Sequence, residues 1–290
     1  MATELDPAAI AATLIVLSTL AGSTALWVRK LRSPRSSIIP NIGIGTWPIG
    51  WVNFVIFICA AITSIAASQF LGSAILNVIG VQANQLTPWL AVAAVLLLQI
   101  PLLAVFYITR RFFPAQYASQ LNSHAVSIGL ALKQAAPYFL RFLPIIWIVS
   151  FLWTKILSDL QEFGLIGEFP PQQLVQLFQS GGDPLAICLL VIFAVLLAPI
   201  VEELIFRGCI YRFLKSQTSL LLAQFISGVI FALIHANLLS FVPLVLVGIL
   251  LARSYEKSGN ILVPICFHAL FNGFSLLMLL IYNQSQVLQP

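Results

Sequence analysis

The sequence contains very few charged residues. Only 8% of its 290 residues are Asp, Glu, Lys or Arg, and 60% are hydrophobic, whereas a soluble domain carries about 25% charged residues. A water-soluble domain, a disordered chain and a nucleic-acid-binding protein all fit poorly, because each needs many more polar and charged side chains than this chain has. The composition predicts an integral membrane protein with several spans.

Cysteine pairs and common catalytic signatures are also absent. None of the four cysteines is spaced as CxxC, and the chain has neither an HExxH motif nor a glycine-rich phosphate loop. A disulfide scaffold and the usual zinc helix are therefore not indicated. The cysteines lie in apolar stretches, where we expect them to act as small buried apolar residues.

Long apolar runs fill the chain, and residues 36–109 contain no charged side chain at all. Since one helical span takes about 20 residues, turn-like residues must divide these runs. We expect an all-α bundle of about eight spans, near Ala9–Val28, Trp51–Phe70, Trp89–Ile108, Pro137–Trp153, Pro184–Leu214, Leu220–Ala236, Phe241–Ala252 and Ile261–Tyr282.

Two connecting regions have a different composition. The stretch Phe112–Lys133 is milder in hydropathy and predicts an interfacial amphipathic helix. The acidic stretch from Asp159 to Asp183 contains Pro170 and Pro171 and predicts an exposed loop, with a short surface helix as an option. We divide the chain into an amino-terminal membrane region, 1–183, and a carboxyl-terminal helical core, 184–283.

Basic residues predict the orientation of the spans. The cluster Arg29–Arg35 follows the first span, so the positive-inside rule places it in the cytoplasm and the amino terminus outside. Alternation of the spans then places Arg110, Arg111 and Arg212 inside and the acidic loop outside. These placements agree with one another.

Three charged residues lie inside the apolar run that begins at Pro184, namely Glu202, Glu203 and Arg207. A charge in a bilayer costs about 2.5–3.5 kcal/mol even on the lenient insertion scale, so the three need a reason. Glu203 and Arg207 are four residues apart and can pair on one helix face. Glu202 points about 100° away, and either a site or the edge of the membrane would explain it.

Two histidines and one asparagine lie in equally apolar sequence. His268 and Asn272 are four residues apart and share a face, while His235 follows Phe231 by one turn. Each histidine alone fits a helix-packing role, and His124 fits a solvated interface. Together with the glutamates they fit hydrolysis: a carboxylate and an imidazole activate water, and an imidazole and an amide stabilise an oxyanion. The same Glu202, His235 and His268 could instead hold a divalent metal such as zinc.

Three motifs carry a resemblance to a known family. EELIFR fits EExxxR, FALIH fits FxxxH and HALFN fits HxxxN, in that order. The segment Pro184–Leu280 resembles the CAAX-protease and bacteriocin-processing (Abi) family, which includes the type II CAAX prenyl proteases. The resemblance implies an all-α membrane fold with an intramembrane cavity.

The resemblance also implies roles for the motif residues. Glu202 and His235 would activate water, and His268 and Asn272 would serve the oxyanion. Glu203, Arg207 and Phe231 would support them. Counting along upright helices nevertheless places His235 about 22 Å deep and His268 near the surface, which would keep the two apart.

We therefore expect a multi-pass membrane endopeptidase that acts on membrane-associated peptides, with prenylated CAAX-type substrates as one option. It would work in the plasma membrane or another cellular membrane, with a divalent metal as an option and no organic cofactor. A proton-coupled carrier that uses the same acids and imidazoles is an alternative. A catalytically silent membrane scaffold or immunity protein of the same family is another.

Overall fold

The computed structural model describes residues 7–33, 43–80, 87–167 and 182–287, and these residues form helices and connecting segments without a strand. Unbroken apolar sequence favours this outcome, because a helix satisfies all its backbone hydrogen bonds internally in a lipid environment. The helices are α1 (Pro7–Arg32), α2 (Trp51–Val78), α3 (Pro88–Phe112), α4 (Pro114–Tyr117), α5 (Ile128–Glu162), α6 (Pro184–Gln217), α7 (Leu220–Ile234), α8 (Phe241–Ser258) and α9 (Leu262–Val287).

Six of these helices, namely α1, α2, α3, α5, α6 and α9, are long and apolar enough to cross a membrane. All eight predicted segments are helical, but α7 is a shorter apolar helix of 15 residues and α8 ends in a charged turn. Large apolar side chains cover the outside of the bundle, as expected where the solvent is lipid. The predicted all-α bundle is confirmed, and the protein is a multi-pass integral membrane protein.

The predicted interfacial helix over Phe112–Lys133 is wrong. Only α4, four residues long, lies between α3 and residue 118, and residues 118–127 have no regular helix. Residues 118–127 contain three Ser and one Asn, whose side chains compete with helical hydrogen bonding. Ser127 then accepts a hydrogen bond from the backbone N–H of Leu130 and caps α5, so the next helix begins at Ile128.

The irregular segment 118–127 covers the turn between α8 and α9. The backbone N–H of Ser123 donates to the Gly259 carbonyl at 2.7 Å, and the Asn260 side chain donates to the His124 carbonyl at 2.7 Å. Asn260 is buried. His124, which was expected at a solvated interface, is partly exposed, and its Nδ1 is buried. The α8–α9 turn thus lies inside the protein.

Residues 43–50 form a second covering segment, at the end of α6. The buried Arg212 donates to the carbonyls of Gly45 at 2.7 Å and Thr46 at 3.0 Å. Lys215 binds both the Ile44 carbonyl and the Glu256 carboxylate, the latter at 2.6 Å. These cations therefore hold the segment against the bundle in addition to any effect on orientation.

The acidic region is described only at its two ends. Glu162 ends α5, and Asp183 caps α6 by accepting from the backbone N–H of Leu185 at 2.9 Å. The indole N–H of Trp89 also donates to Asp183 and holds the pKa of that carboxyl below its usual range. Glu168 and the optional surface helix lie outside the described residues.

Candidate active site

Helix α6 places two adjacent glutamates between two irregular turns. Residues Ala198–Ile205 are α-helical, and wider π-helical turns precede them at Phe193–Leu197 and follow them at Phe206–Tyr211. Pro199 cannot donate a backbone hydrogen bond to the preceding turn, which is consistent with the change of helix type there. Such π turns are frequent at functional sites, because they change the direction of neighbouring side chains.

Glu203 and Arg207 form the pair that their spacing predicts. The guanidinium donates to Glu203 Oε1 at 2.8 Å, and both side chains are 0% exposed. Arg207 also donates to the Gly248 carbonyl at 3.0 Å and lies 4.6 Å from the centroid of the Phe231 ring. A carboxylate, a carbonyl and an aromatic face therefore compensate the buried positive charge.

His268 connects this pair to Glu202. Its Nδ1 lies 2.9 Å from Glu203 Oε1, and its Nε2 lies 3.9 Å from Glu202 Oε2. An ionised carboxylate only accepts hydrogen bonds, so Nδ1 carries the proton, and a neutral His268 keeps its lone pair on Nε2. Glu203 thus orients the ring and leaves Nε2 facing Glu202.

Glu202 differs from its neighbour in exposure and in partners. Its side chain is 14% exposed, and Oε2 has no hydrogen-bond partner. Its other oxygen has a long contact of 3.5 Å with the amide nitrogen of Gln99 from α3. Sequence reasoning missed Gln99, although a buried amide within a helix as apolar as α3 is itself a signal for a polar contact.

His235 lies at the end of α7 and is more exposed than His268. Its Nδ1 lies 2.7 Å from the Phe231 carbonyl, which can only accept, so Nδ1 is the donor and Nε2 keeps its lone pair. Phe231 packs edge-on against both imidazoles, with centroid distances of 4.7 Å to His235 and 5.5 Å to His268. The two histidines thus share one aromatic neighbour.

Asn272 lies on the same face of α9 as His268, as its spacing predicts. Its side-chain amide donates to the Ala194 carbonyl in the first π turn of α6, at 2.9 Å. His268 and Asn272 therefore both face α6, which runs antiparallel to α9. One N–H of the Asn272 amide remains available to another acceptor.

The donor atoms are of the kind that zinc prefers, because both imidazoles keep a lone pair on Nε2 and Glu202 has a free oxygen. The Nδ1 atoms of these histidines contact a carboxylate in His268 and a backbone carbonyl in His235, which is also typical of metal-bound histidine. Within the described residues, however, no three His, Cys, Asp or Glu side chains come close enough together to hold a metal ion. The metal set of Glu202, His235 and His268 stays a prediction, and no chemical step is derived through it.

Comparison with known proteins gives a family match to the same part of the chain. Residues 184–274 match the model of the family described as "Type II CAAX prenyl endopeptidase Rce1-like", and this part of the chain is therefore similar to the type II CAAX prenyl endopeptidases. The match covers all three motifs and confirms the resemblance that they indicated.

Two curated proteins are also similar to the chain. "Putative membrane peptidase YdiL" of Bacillus subtilis is 36% identical over 93 residues, which are 32% of this chain and 38% of that protein. An "Uncharacterized 24.3 kDa protein" of Escherichia coli is 27% identical over 175 residues, covering 58% of this chain and 70% of its own length. The chain thus matches well under half of the first relative. No solved structure matches the chain.

Proposed function

We propose that the protein is an intramembrane endopeptidase that hydrolyses a peptide bond in membrane-associated substrates. The observation that carries the proposal is the approach of Glu202 Oε2 to His268 Nε2, at 3.9 Å, within otherwise apolar helices. The similarity of residues 184–274 to CAAX prenyl endopeptidases supports the same activity. The two groups are a carboxylate and an imidazole, which are the side chains that most often act as general bases.

The spacing of these two groups suits a bound water molecule. With hydrogen bonds of about 2.8 Å to each acceptor, a water between Glu202 and His268 would subtend an angle of about 90°. It would donate one hydrogen to Glu202 Oε2 and the other to His268 Nε2. Its oxygen lone pairs would then face a substrate carbonyl, which is the arrangement that a nucleophile needs.

The hydrolysis then proceeds with Glu202 as general base. Water attacks the carbonyl carbon as its proton moves to the Glu202 carboxylate, and the carbonyl π electrons move to oxygen. When the tetrahedral intermediate collapses, the C–N bond breaks and Glu202 returns the proton to the leaving amine. Asn272 would donate its second N–H to the oxyanion, while neutral His268 would accept through Nε2 from the hydroxyl group of the tetrahedral intermediate.

His235 contributes at the more exposed border of the site in this proposal. Its Nε2 lone pair is available to a water or to a substrate N–H group, while the Phe231 carbonyl fixes its ring. Ligation of a divalent metal by this nitrogen together with Glu202 and His268 would require the three side chains to move closer together than they lie in the described structure. A metal held there would lower the pKa of bound water.

The test is cleavage by the protein reconstituted in liposomes. The substrates are two peptides of the same sequence ending in a CAAX tetrapeptide, one with a farnesylated cysteine and one with a free cysteine. Mass spectrometry should detect hydrolysis of the lipid-anchored peptide at a higher rate. Reactions with added Zn²⁺ and with a chelator distinguish metal-assisted from metal-free hydrolysis.

Two outcomes would contradict the proposal. If neither peptide, nor a broad set of other membrane-anchored peptides, is cleaved by folded protein, the scaffold alternative is favoured. If the liposomes instead show proton-coupled flux without cleavage, the carrier alternative is favoured.

A further inference from the structure

Four basic side chains from three helices meet at one end of the bundle, away from the glutamate site. They are Lys30 on α1, Arg141 on α5, and Arg253 and Lys257 on α8. The Lys30 ammonium and the Arg141 guanidinium both lie 5.3 Å from the centroid of the Trp27 ring. We call these four side chains the basic cluster.

Lys257 joins the cluster from α8. Its ammonium lies 5.7 Å from the centroid of the Tyr138 ring, on the helix that also carries Arg141. Burial lowers the pKa of Lys257, and the positive charges of Arg253, Lys30 and Arg141 lower it further. The three helices therefore hold these four cations close enough to repel one another.

The basic cluster has no carboxylate partner within the part of the chain that the structure describes. Glu256, on the same helix turn as Lys257, is bound to Lys215 at 2.6 Å and accepts from the Tyr211 hydroxyl at 3.0 Å. The other described carboxylates lie at the acidic end of α5, at the start of α6 or in the glutamate site. Among the described carboxylates, none therefore compensates the repulsion within the basic cluster.

Two buried polar atoms at the cluster also have no partner. Arg141 is only 4% exposed, and its Nε has no hydrogen bond, while its terminal nitrogen has only a long contact of 3.4 Å with the Leu26 carbonyl. Tyr138 is 2% exposed, and its hydroxyl has no acceptor. A buried guanidinium and a buried hydroxyl normally find a partner, so both indicate a missing acceptor.

The position of the cluster indicates what carries that acceptor. It lies at the carboxyl-terminal end of α1, the end that the positive-inside rule assigns to the cytoplasmic face. Exposed apolar side chains continue from it along the bundle, among them Leu31, which is 75% exposed, and Ile148, which is 59% exposed. A ligand with an anionic group and apolar chains would bind the basic cluster and cover the exposed apolar side chains at the same time.

We propose that Lys30, Arg141, Arg253, Lys257 and the Tyr138 hydroxyl bind the phosphate of an anionic phospholipid headgroup. The phosphate oxygens bind the ammonium groups of Lys30 and Lys257, which are partly exposed, and accept from Arg141 Nε and the Tyr138 hydroxyl once the side chains that cover these two atoms move aside. The acyl chains pack along the apolar surface of α1 and α5. Basic pockets between helices at the cytoplasmic face are a recurrent form of lipid site.

The test measures ligand-dependent thermal stability of the purified protein in a neutral detergent. Short-chain phosphatidylglycerol, short-chain phosphatidylcholine and inorganic phosphate are titrated separately, because a ligand that binds the folded state raises Tm with the logarithm of its concentration once that exceeds Kd. Phosphatidylglycerol should raise Tm in this way, and phosphatidylcholine and inorganic phosphate should bind at least about tenfold more weakly, since one carries a compensating cation and the other lacks chains.

A matched pair of double variants tests the residues. Lys30→Gln/Lys257→Gln removes two cluster charges from partly exposed positions and should weaken phosphatidylglycerol binding about 25-fold, at about fivefold for each charge removed. Arg29→Gln/Arg111→Gln removes two exposed charges from the same end of the bundle and should leave the affinity unchanged. The difference between the two double variants distinguishes a specific binding site from general electrostatic attraction between positive residues and anionic lipid.

Three results would overturn the proposal. Equal binding of phosphatidylglycerol and phosphatidylcholine would remove the requirement for an anionic headgroup. Undiminished phosphatidylglycerol binding by the Lys30→Gln/Lys257→Gln variant would show that the basic cluster is not the binding site. Inorganic phosphate that binds as tightly as phosphatidylglycerol, with the same loss in the variant, would assign the site to a free anion instead of a lipid.

Discussion

The buried ion pair in α6 gives the sharpest stability prediction. Arg207→Ala removes the hydrogen bond to Glu203 at 2.8 Å, the hydrogen bond to the Gly248 carbonyl at 3.0 Å and the cation–π contact with Phe231. Both charged side chains are fully buried, so the substitution leaves a carboxylate without its cation. Breaking such a pair costs about 3–5 kcal/mol, and the three lost contacts overlap, so their separate energies do not add.

This cost predicts a large fall in melting temperature. At about 2–4 °C for each kcal/mol in a protein of this size, Tm of the detergent-solubilised Arg207→Ala protein should fall by about 6–20 °C. Differential scanning fluorimetry of purified protein measures it. Arg207→Lys keeps the charge but loses the two-sided hydrogen bonding, so its Tm should fall by a smaller amount, and it provides a measurable protein if the alanine variant does not fold.

A double variant tests the cause of the fall. Glu203→Gln in the Arg207→Ala background removes the unpaired charge, so the double variant should be more stable than Arg207→Ala alone. If Arg207→Ala melts at the wild-type temperature, or if the second substitution makes it less stable still, the reasoning from an unpaired buried carboxylate is refuted.

Three further predictions follow from other contacts. Asn272→Ala should lower the initial rate of peptide cleavage about 10²–10³-fold, because its second N–H would no longer donate to the oxyanion. An unchanged rate would show that Asn272 takes no part in the mechanism. Gly228→Ala should lower Tm, because an added Cβ would lie 2.8 Å from the Val245 carbonyl oxygen, where α7 meets α8. Gly129→Ala, whose added Cβ would lie in open space, should leave Tm unchanged, and equal effects of the two substitutions would refute the close approach of α7 and α8. Gln99→Leu should reduce the cleavage rate, but by a smaller factor than Glu202→Gln, and the protein should stay folded. A wild-type rate would show that the 3.5 Å contact between Gln99 and Glu202 does not affect activity.

The sequence predicted those parts of the fold and site that depend on local periodicity. Apolar run length located all eight helical segments, and the four-residue spacing of Glu203 and Arg207 predicted their ion pair correctly. The shared face of His268 and Asn272 was predicted for the same reason. Helical geometry alone fixes each of these relations.

Contacts between different helices could not be predicted from spacing within one helix. The contact between His268 and Glu203 joins two helices, and Gln99 reaches Glu202 from a third, so neither follows from spacing within a helix. The expected separation of His235 and His268 stays a prediction, because their shared neighbour Phe231, at ring-centroid distances of 4.7 and 5.5 Å, does not bring the two imidazoles into contact. Residues 118–127 were wrongly predicted as a helix, since composition does not show that their polar groups bind the α8–α9 turn.

If Glu202 is the general base of a peptide hydrolase, its carboxylate is essential for cleavage. Initial rates of peptide cleavage in liposomes are measured for Glu202→Gln and for Glu162→Gln, which changes an exposed carboxylate at the end of α5 in the same way. We expect Glu202→Gln to lose about 10²-fold or more of the rate at unchanged Tm, and Glu162→Gln to keep the wild-type rate. Wild-type cleavage by Glu202→Gln would show that Glu202 is not the general base.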